Sequence, residues 1–152
     1  MNKYYHFLGF SLGLSVALFM SGMNALFMTP NTEWFINLKK PEIIPYVHSA
    51  LWLVSYLLTA VIIGEFAVNK ELRRFAFVPI IFVALNIIWC WTFFRLHNLP
   101  VSCAVFALNI AALIAQLALS IKKTRYLWSV VALNVIWYGY LFAVFIFIMS
   151  TN

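Results

Sequence analysis

Residues 75–96 read FAFVPIIFVALNIIWCWTFFRL. The only charge in this stretch is Arg95, next to its last residue. At the α-helical rise it would reach ~33 Å, and the hydrocarbon layer of a bilayer is ~30 Å thick. A helix that is apolar all round belongs in a membrane or in the centre of a large protein. This chain has 152 residues, too few for such a centre. The stretch therefore predicts a membrane-spanning helix, and with it the class of fold.

Four more segments of this kind flank it, at roughly 5–28, 47–68, 100–121 and 126–149. The whole chain is 65% hydrophobic and 9% charged, with mean hydropathy +0.96. Soluble domains carry about 25% charged residues, so water cannot be the main solvent here. The expected fold is all-α: a single domain over residues 1–152, an integral membrane bundle of five transmembrane helices. Lys3 ahead of the first apolar run resembles the start of a signal peptide. The run continues to Met28, past the ~7–15 residues of such a core, and no clear A-x-A site ends it, so a retained helix is expected.

The connections differ in length. Residues 69–74, 97–99 and 122–125 form short links. Residues 29–46, TPNTEWFINLKKPEIIPY, form the long one and hold Pro30, Pro41 and Pro45. Long loops in compact domains are commonly functional or disordered. Trp34, Phe35, Ile36, Ile43, Ile44 and Tyr46 are too apolar to stay in water, so the loop is expected to fold back as a lid. Lys3, Lys70, Arg73, Arg74, Lys122, Lys123 and Arg125 fall on the N-terminal side of five spans. Only Lys39, Lys40 and Arg95 fall on the other. The positive-inside rule then places the N-terminus inside, for a bacterial-type inner membrane. The net charge of +6 is spread over these links and forms no dense stripe, which argues against nucleic acid. In the first segment Gly9, Gly13, Ala17, Ser21 and Ala25 recur every fourth residue. That spacing serves close helix packing, within the chain or across a homodimer seam.

Polar and aromatic side chains then mark inward faces. Asn86, Trp89, Cys90 and Phe93 share one helical face, as do Asn134, Trp137, Tyr138 and Leu141, and also Trp52, Tyr56 and Thr59. Asn109 and Gln116 lie two turns apart on the fourth segment. An amide in hydrocarbon is costly unless paired, so these groups either join helices or line a site. Tyr4, Tyr5, Tyr126 and Trp128 suit an interfacial belt. Trp89, Trp91 and Trp137 lie deeper and are expected in the core or in a pocket wall. Glu65, near the end of the second segment, is either a proton-coupling carboxylate or a partner of Lys70 or Arg73. His48 and His97 fall near the predicted outer surface and do not define a metal site. Asp is absent, and Cys90 and Cys103 sit in apolar surroundings. No Ser-His-Asp set and no Gly-rich phosphate loop is visible.

These residues resemble the TspO/MBR family: translocator protein, peripheral benzodiazepine receptor and tryptophan-rich sensory protein. Trp34-Phe35, Leu38, Lys40-Pro41 and Pro45 resemble its W-[YF]-x-x-L-x-K-P-x-x-x-P run. Trp52 and Tyr56 resemble its W-x-x-x-Y. Asn86, Trp89 and Phe93-Phe94 resemble its N-x-x-W-x-x-x-F-F, and Trp137 matches another family tryptophan. The similarity runs from about Trp34 to the end. Tyr46, Ile43, Leu133-Asn134, Leu141 and Phe145 depart from the family pattern, which makes this a divergent member.

The resemblance implies a five-helix bundle whose first loop caps a pocket for porphyrins and haem-pathway tetrapyrroles, and in some members sterols or drugs. No obligatory cofactor is expected. The implied function is a membrane receptor or carrier with a sensory or regulatory role. The alternatives are light- and oxygen-dependent porphyrin breakdown through Trp52 and Trp137, or transport of apolar cations. The expected pocket gathers Phe35, Trp52, Tyr56, Asn86, Trp89, Cys90, Phe93, Trp137 and Leu141. The expected lid gathers Trp34, Leu38, Lys40, Pro41 and Pro45. Leu141, where relatives have Ala, is expected to narrow the pocket.

Overall fold

A computed structural model of the protein describes residues 3–29, 32–41, 45–121 and 125–152. Pro30, Glu42, Ile43, Ile44, Lys122 and Lys123, all part of the sequence reading, lie outside the described residues. Helix α1 spans Lys3–Phe27, α2 Glu33–Asn37, α3 Pro45–Val68, α4 Phe77–Phe94, α5 Leu99–Ser120 and α6 Arg125–Thr151. All but α2 are long and apolar enough to cross a membrane. The architecture is that of an all-α, multi-pass membrane protein.

The long helices begin and end within a few residues of the apolar segments. Their limits follow local chemistry. A 3₁₀ turn, Arg73–Phe75, precedes α4, and Pro79 sits in the first turn of α4, where its missing N–H costs nothing. Asn98 caps α5 by accepting a hydrogen bond from the Val101 N–H at 3.1 Å. Just before it, His97 takes a left-handed φ of 53° and turns the chain between α4 and α5. The short α2 interrupts the long loop. Its cap is Thr32, whose Oγ1 accepts from the Phe35 N–H at 3.4 Å.

Going round the bundle, α1 packs on α3, α3 on α6, α6 on α5, α5 on α4, and α4 back on α1. The closest pair is α1 with α3. A Cβ on Gly9 would lie 2.7 Å from Val68 Cγ1 and 2.8 Å from the Gly64 carbonyl oxygen. A Cβ on Gly13 would run into the Ala60 carbonyl. Gly9 and Gly13, the start of the small-residue row, therefore face α3 within the same chain, and Ala17 next in the row is buried. Further along the row Ser21 is half-buried and Ala25 is exposed. Around the outside, large apolar side chains such as Phe7, Leu53, Leu108 and Ile136 are exposed, as lipid-facing positions should be.

Two positions correct the sequence reading. Trp91 is 44% exposed and stands outside the core. It is two residues from Trp89, about 200° round the helix, so the two indoles cannot share a face. Glu65 pairs with neither Lys70 nor Arg73. Its Oε1 lies 3.1 Å from Nδ1 of His6 on α1, because the Gly9–Gly64 crossing brings the start of α1 against the end of α3.

Candidate functional site

The end of the bundle that carries the long loop holds a continuous aromatic core. Trp52 of α3, Trp89 and Phe93 of α4, and Trp137 of α6 are all buried there. Trp52 stacks on Trp89 with centroids 6.4 Å apart and meets Trp137 edge-on at 6.0 Å. Trp89 stacks on Phe93 at 5.6 Å. Cys90 and Leu141 belong to the same buried cluster, and Tyr56 and Phe35 pack against it half-buried. All the apolar residues expected to share a pocket are thus brought together. Two further rings pack into the same cluster. Phe106 of α5 touches Trp89 at 5.1 Å, and Phe145 of α6 touches Phe93 at 5.3 Å. Ring pairs at such spacings are attractive beyond their burial. The Trp89 indole N–H is buried without a hydrogen-bond partner among the described residues.

Beneath the rings lies a polar layer. Asn24 Nδ2 of α1 donates to the Tyr56 hydroxyl at 3.1 Å and to Asn86 Oδ1 at 2.6 Å. Asn86 Nδ2 in turn donates to the Tyr138 hydroxyl at 2.7 Å. One amide relay therefore joins α1, α3, α4 and α6. Asn134 accepts from Ser55 at 2.8 Å and donates to Thr59 at 3.2 Å, which ties α6 to α3 again. Oriented by its neighbours, the Asn109 amide donates to the Phe82 carbonyl and accepts from the Asn86 N–H. Asn86 thus sits at the floor of the aromatic core, fully buried, as a joint between helices.

The loop closes over the rings. Trp34 meets Phe93 edge-on at 5.2 Å and stacks on His97 at 4.3 Å. Phe35 touches both Phe93 and Phe94. Leu38 is buried in the same core, Pro41 is half-buried and Pro45 opens α3. Lys40 Nζ donates to the Phe35 carbonyl at 2.7 Å and lies 4.6 Å from that ring's centroid, so its ammonium closes the end of α2. A clasp holds the far end of the loop. Asn152 Oδ1 accepts from the Lys39 N–H at 2.8 Å, and its Nδ2 donates to the Lys39 carbonyl at 3.0 Å.

Asn24 and Asn152 were not singled out in the sequence. Asn24 had a signal, since it is the one amide within the apolar run of α1. Asn152 had none, because its role depends on where the loop folds.

No protein-family model and no curated protein matches this chain.

Proposed function

We propose that the protein is a membrane receptor or carrier for flat, apolar, porphyrin-like ligands, with a sensory or regulatory role. The observation that carries this reading is the meeting of Trp52, Trp89 and Trp137 from three helices under an aromatic-faced loop. Binding sites for small apolar ligands are lined mainly by such groups, with a few polar atoms that fix orientation. The Trp89 N–H is a donor of that kind, and the resemblance to TspO/MBR proteins supports the same ligand class. Ligand entry requires the loop and some of the rings to move. In this reading the N-terminal end of the bundle faces inward and the loop outward, by the distribution of Lys and Arg.

The test is a titration of detergent-solubilised protein with protoporphyrin IX, followed by tryptophan emission. Saturable quenching that weakens in Trp89→Phe and Trp137→Ala is expected. No saturable quenching would refute the porphyrin reading.

A second reading rests on the edge-on contact of Trp52 with Trp137. Two touching indoles beside a photo-excited porphyrin can supply an electron to it, as porphyrin breakdown in light and oxygen would need. Bleaching of the bound porphyrin under illumination would then slow in Trp137→Phe. Equal rates remove that residue from any such chemistry.

A further inference from the structure

At the opposite end of the bundle from the loop, α1 and α6 flank α3 and leave a groove of about 350 Å³. Its walls are Phe10 of α1, Val61 and Gly64 of α3, and Tyr126 of α6. Its polar end is the His6–Glu65 pair. His6 lies one turn from the start of α1, Glu65 one turn from the end of α3, and Tyr126 next to the start of α6. The polar end therefore lies at headgroup depth if the long helices span the bilayer, and the apolar wall runs from there towards the hydrocarbon. Glu65 is the only acidic residue of the five long helices. Its side chain is 17% exposed. A carboxylate with two oxygens offers about four acceptor positions, and His6 engages one oxygen. No other described residue pairs with this carboxylate.

We propose that this groove binds an amphiphile with a primary ammonium head, and that the occupant is an aminophospholipid of the phosphatidylethanolamine type. The ammonium donates to Glu65 beside the His6 ring, and one acyl chain lies along Phe10, Val61 and Tyr126. Three N–H donors on a compact cation suit a recessed carboxylate, whereas the methylated head of phosphatidylcholine has no N–H to donate. An anionic head would face Glu65 directly and is disfavoured by like charge. This inference is independent of the ligand proposed for the aromatic core.

The test uses the full chain in nanodiscs that contain phosphatidylethanolamine and phosphatidylcholine of identical acyl chains in equal amounts. Native mass spectrometry after release counts the retained lipid. Phosphatidylethanolamine should be retained over phosphatidylcholine by about threefold, the scale of a partly exposed ion pair. Glu65→Gln should abolish that preference. Val61→Trp, which fills the groove and leaves the pair intact, should lower retention of both lipids. Helical dichroism checks that each variant is folded. Dodecylammonium should displace the retained lipid and dodecyl sulfate should not. Equal retention of the two lipids by the wild-type protein overturns the proposal, and so does a preference that survives in folded Glu65→Gln. If dodecylammonium binds through Glu65 while neither lipid is preferred, the occupant is a free cationic amphiphile and the lipid assignment falls.

Discussion

Asn86 Nδ2 donates to the Tyr138 hydroxyl at 2.7 Å, and both side chains are fully buried. The bond joins the middle of α4 to the middle of α6 directly below the stacked indoles. Asn86→Ala removes the acceptor for Asn24 and the donor to Tyr138 in one step. Leaving buried polar groups unpaired costs about 1–3 kcal/mol. Unfolding of the detergent-solubilised protein should show a loss of that size. The cycle with Tyr138→Phe should give a coupling of about 0.5–1.5 kcal/mol. A coupling of zero would mean that the relay contributes nothing to the bundle.

Glycines in α1 and α6 should respond unequally to added bulk. Gly13→Leu drives a side chain into the Ala60 carbonyl and should destabilise the protein by about 3 kcal/mol or more. Gly22→Ala and Gly139→Ala meet no atom within 4 Å. They should be neutral or stabilise by up to about 1 kcal/mol through helix propensity. Thermal melts of the three variants check the ranking. Comparable losses in all three would show that the close α1–α3 approach is misplaced.

The clasp on Lys39 predicts a local effect. Asn152→Ala removes two hydrogen bonds to the loop, and at the end of α6 those to the Ile148 carbonyl and the Thr151 hydroxyl. A single bond contributes about 0.5–1.5 kcal/mol, so amide exchange at Lys39 and Lys40 should quicken about two- to tenfold per bond lost. Exchange in the middle of α4 should not change. Unaltered exchange at Lys39 would count against the clasp.

Leu141 is buried in the ring cluster beside the proposed site. Leu141→Ala should admit a bulky flat ligand more readily and tighten protoporphyrin IX binding. It should also cost about 2–5 kcal/mol of stability, as a core truncation does. If affinity is unaltered in both Leu141→Ala and Trp137→Ala, the ligand binds elsewhere.

The five long helices were legible because lipid demands an unbroken apolar run, and hydropathy alone finds it. The shared face of Asn86, Trp89, Cys90 and Phe93 was legible from the helical period. Helix α2 was not, since its five residues sit among prolines and owe their shape to the docking of Trp34 and Phe35 on α4. The His6–Glu65 pair joins residues 59 positions apart. It follows from a glycine crossing whose partner helix no local pattern names. Trp91 was within reach, since the angle that aligns Asn86 with Trp89 also turns Trp91 away.

The relay through Asn24 bears on the order in which the bundle can be assembled. Chains emerge from the ribosome N-terminus first, so α1 enters the bilayer long before α4. Asn24 finds Asn86 only across 62 residues of chain and Tyr56 across 32. During that interval its amide has neither of these partners, and an unsatisfied amide in hydrocarbon carries a penalty. Gly9 and Gly13 can seat α1 on α3 as soon as α3 has entered. That brings Tyr56 within reach first and leaves Asn86 as the later arrival that locks α1 in register. Asn24→Leu would remove the penalty on the early helix and, with it, the check on how α1 is finally seated.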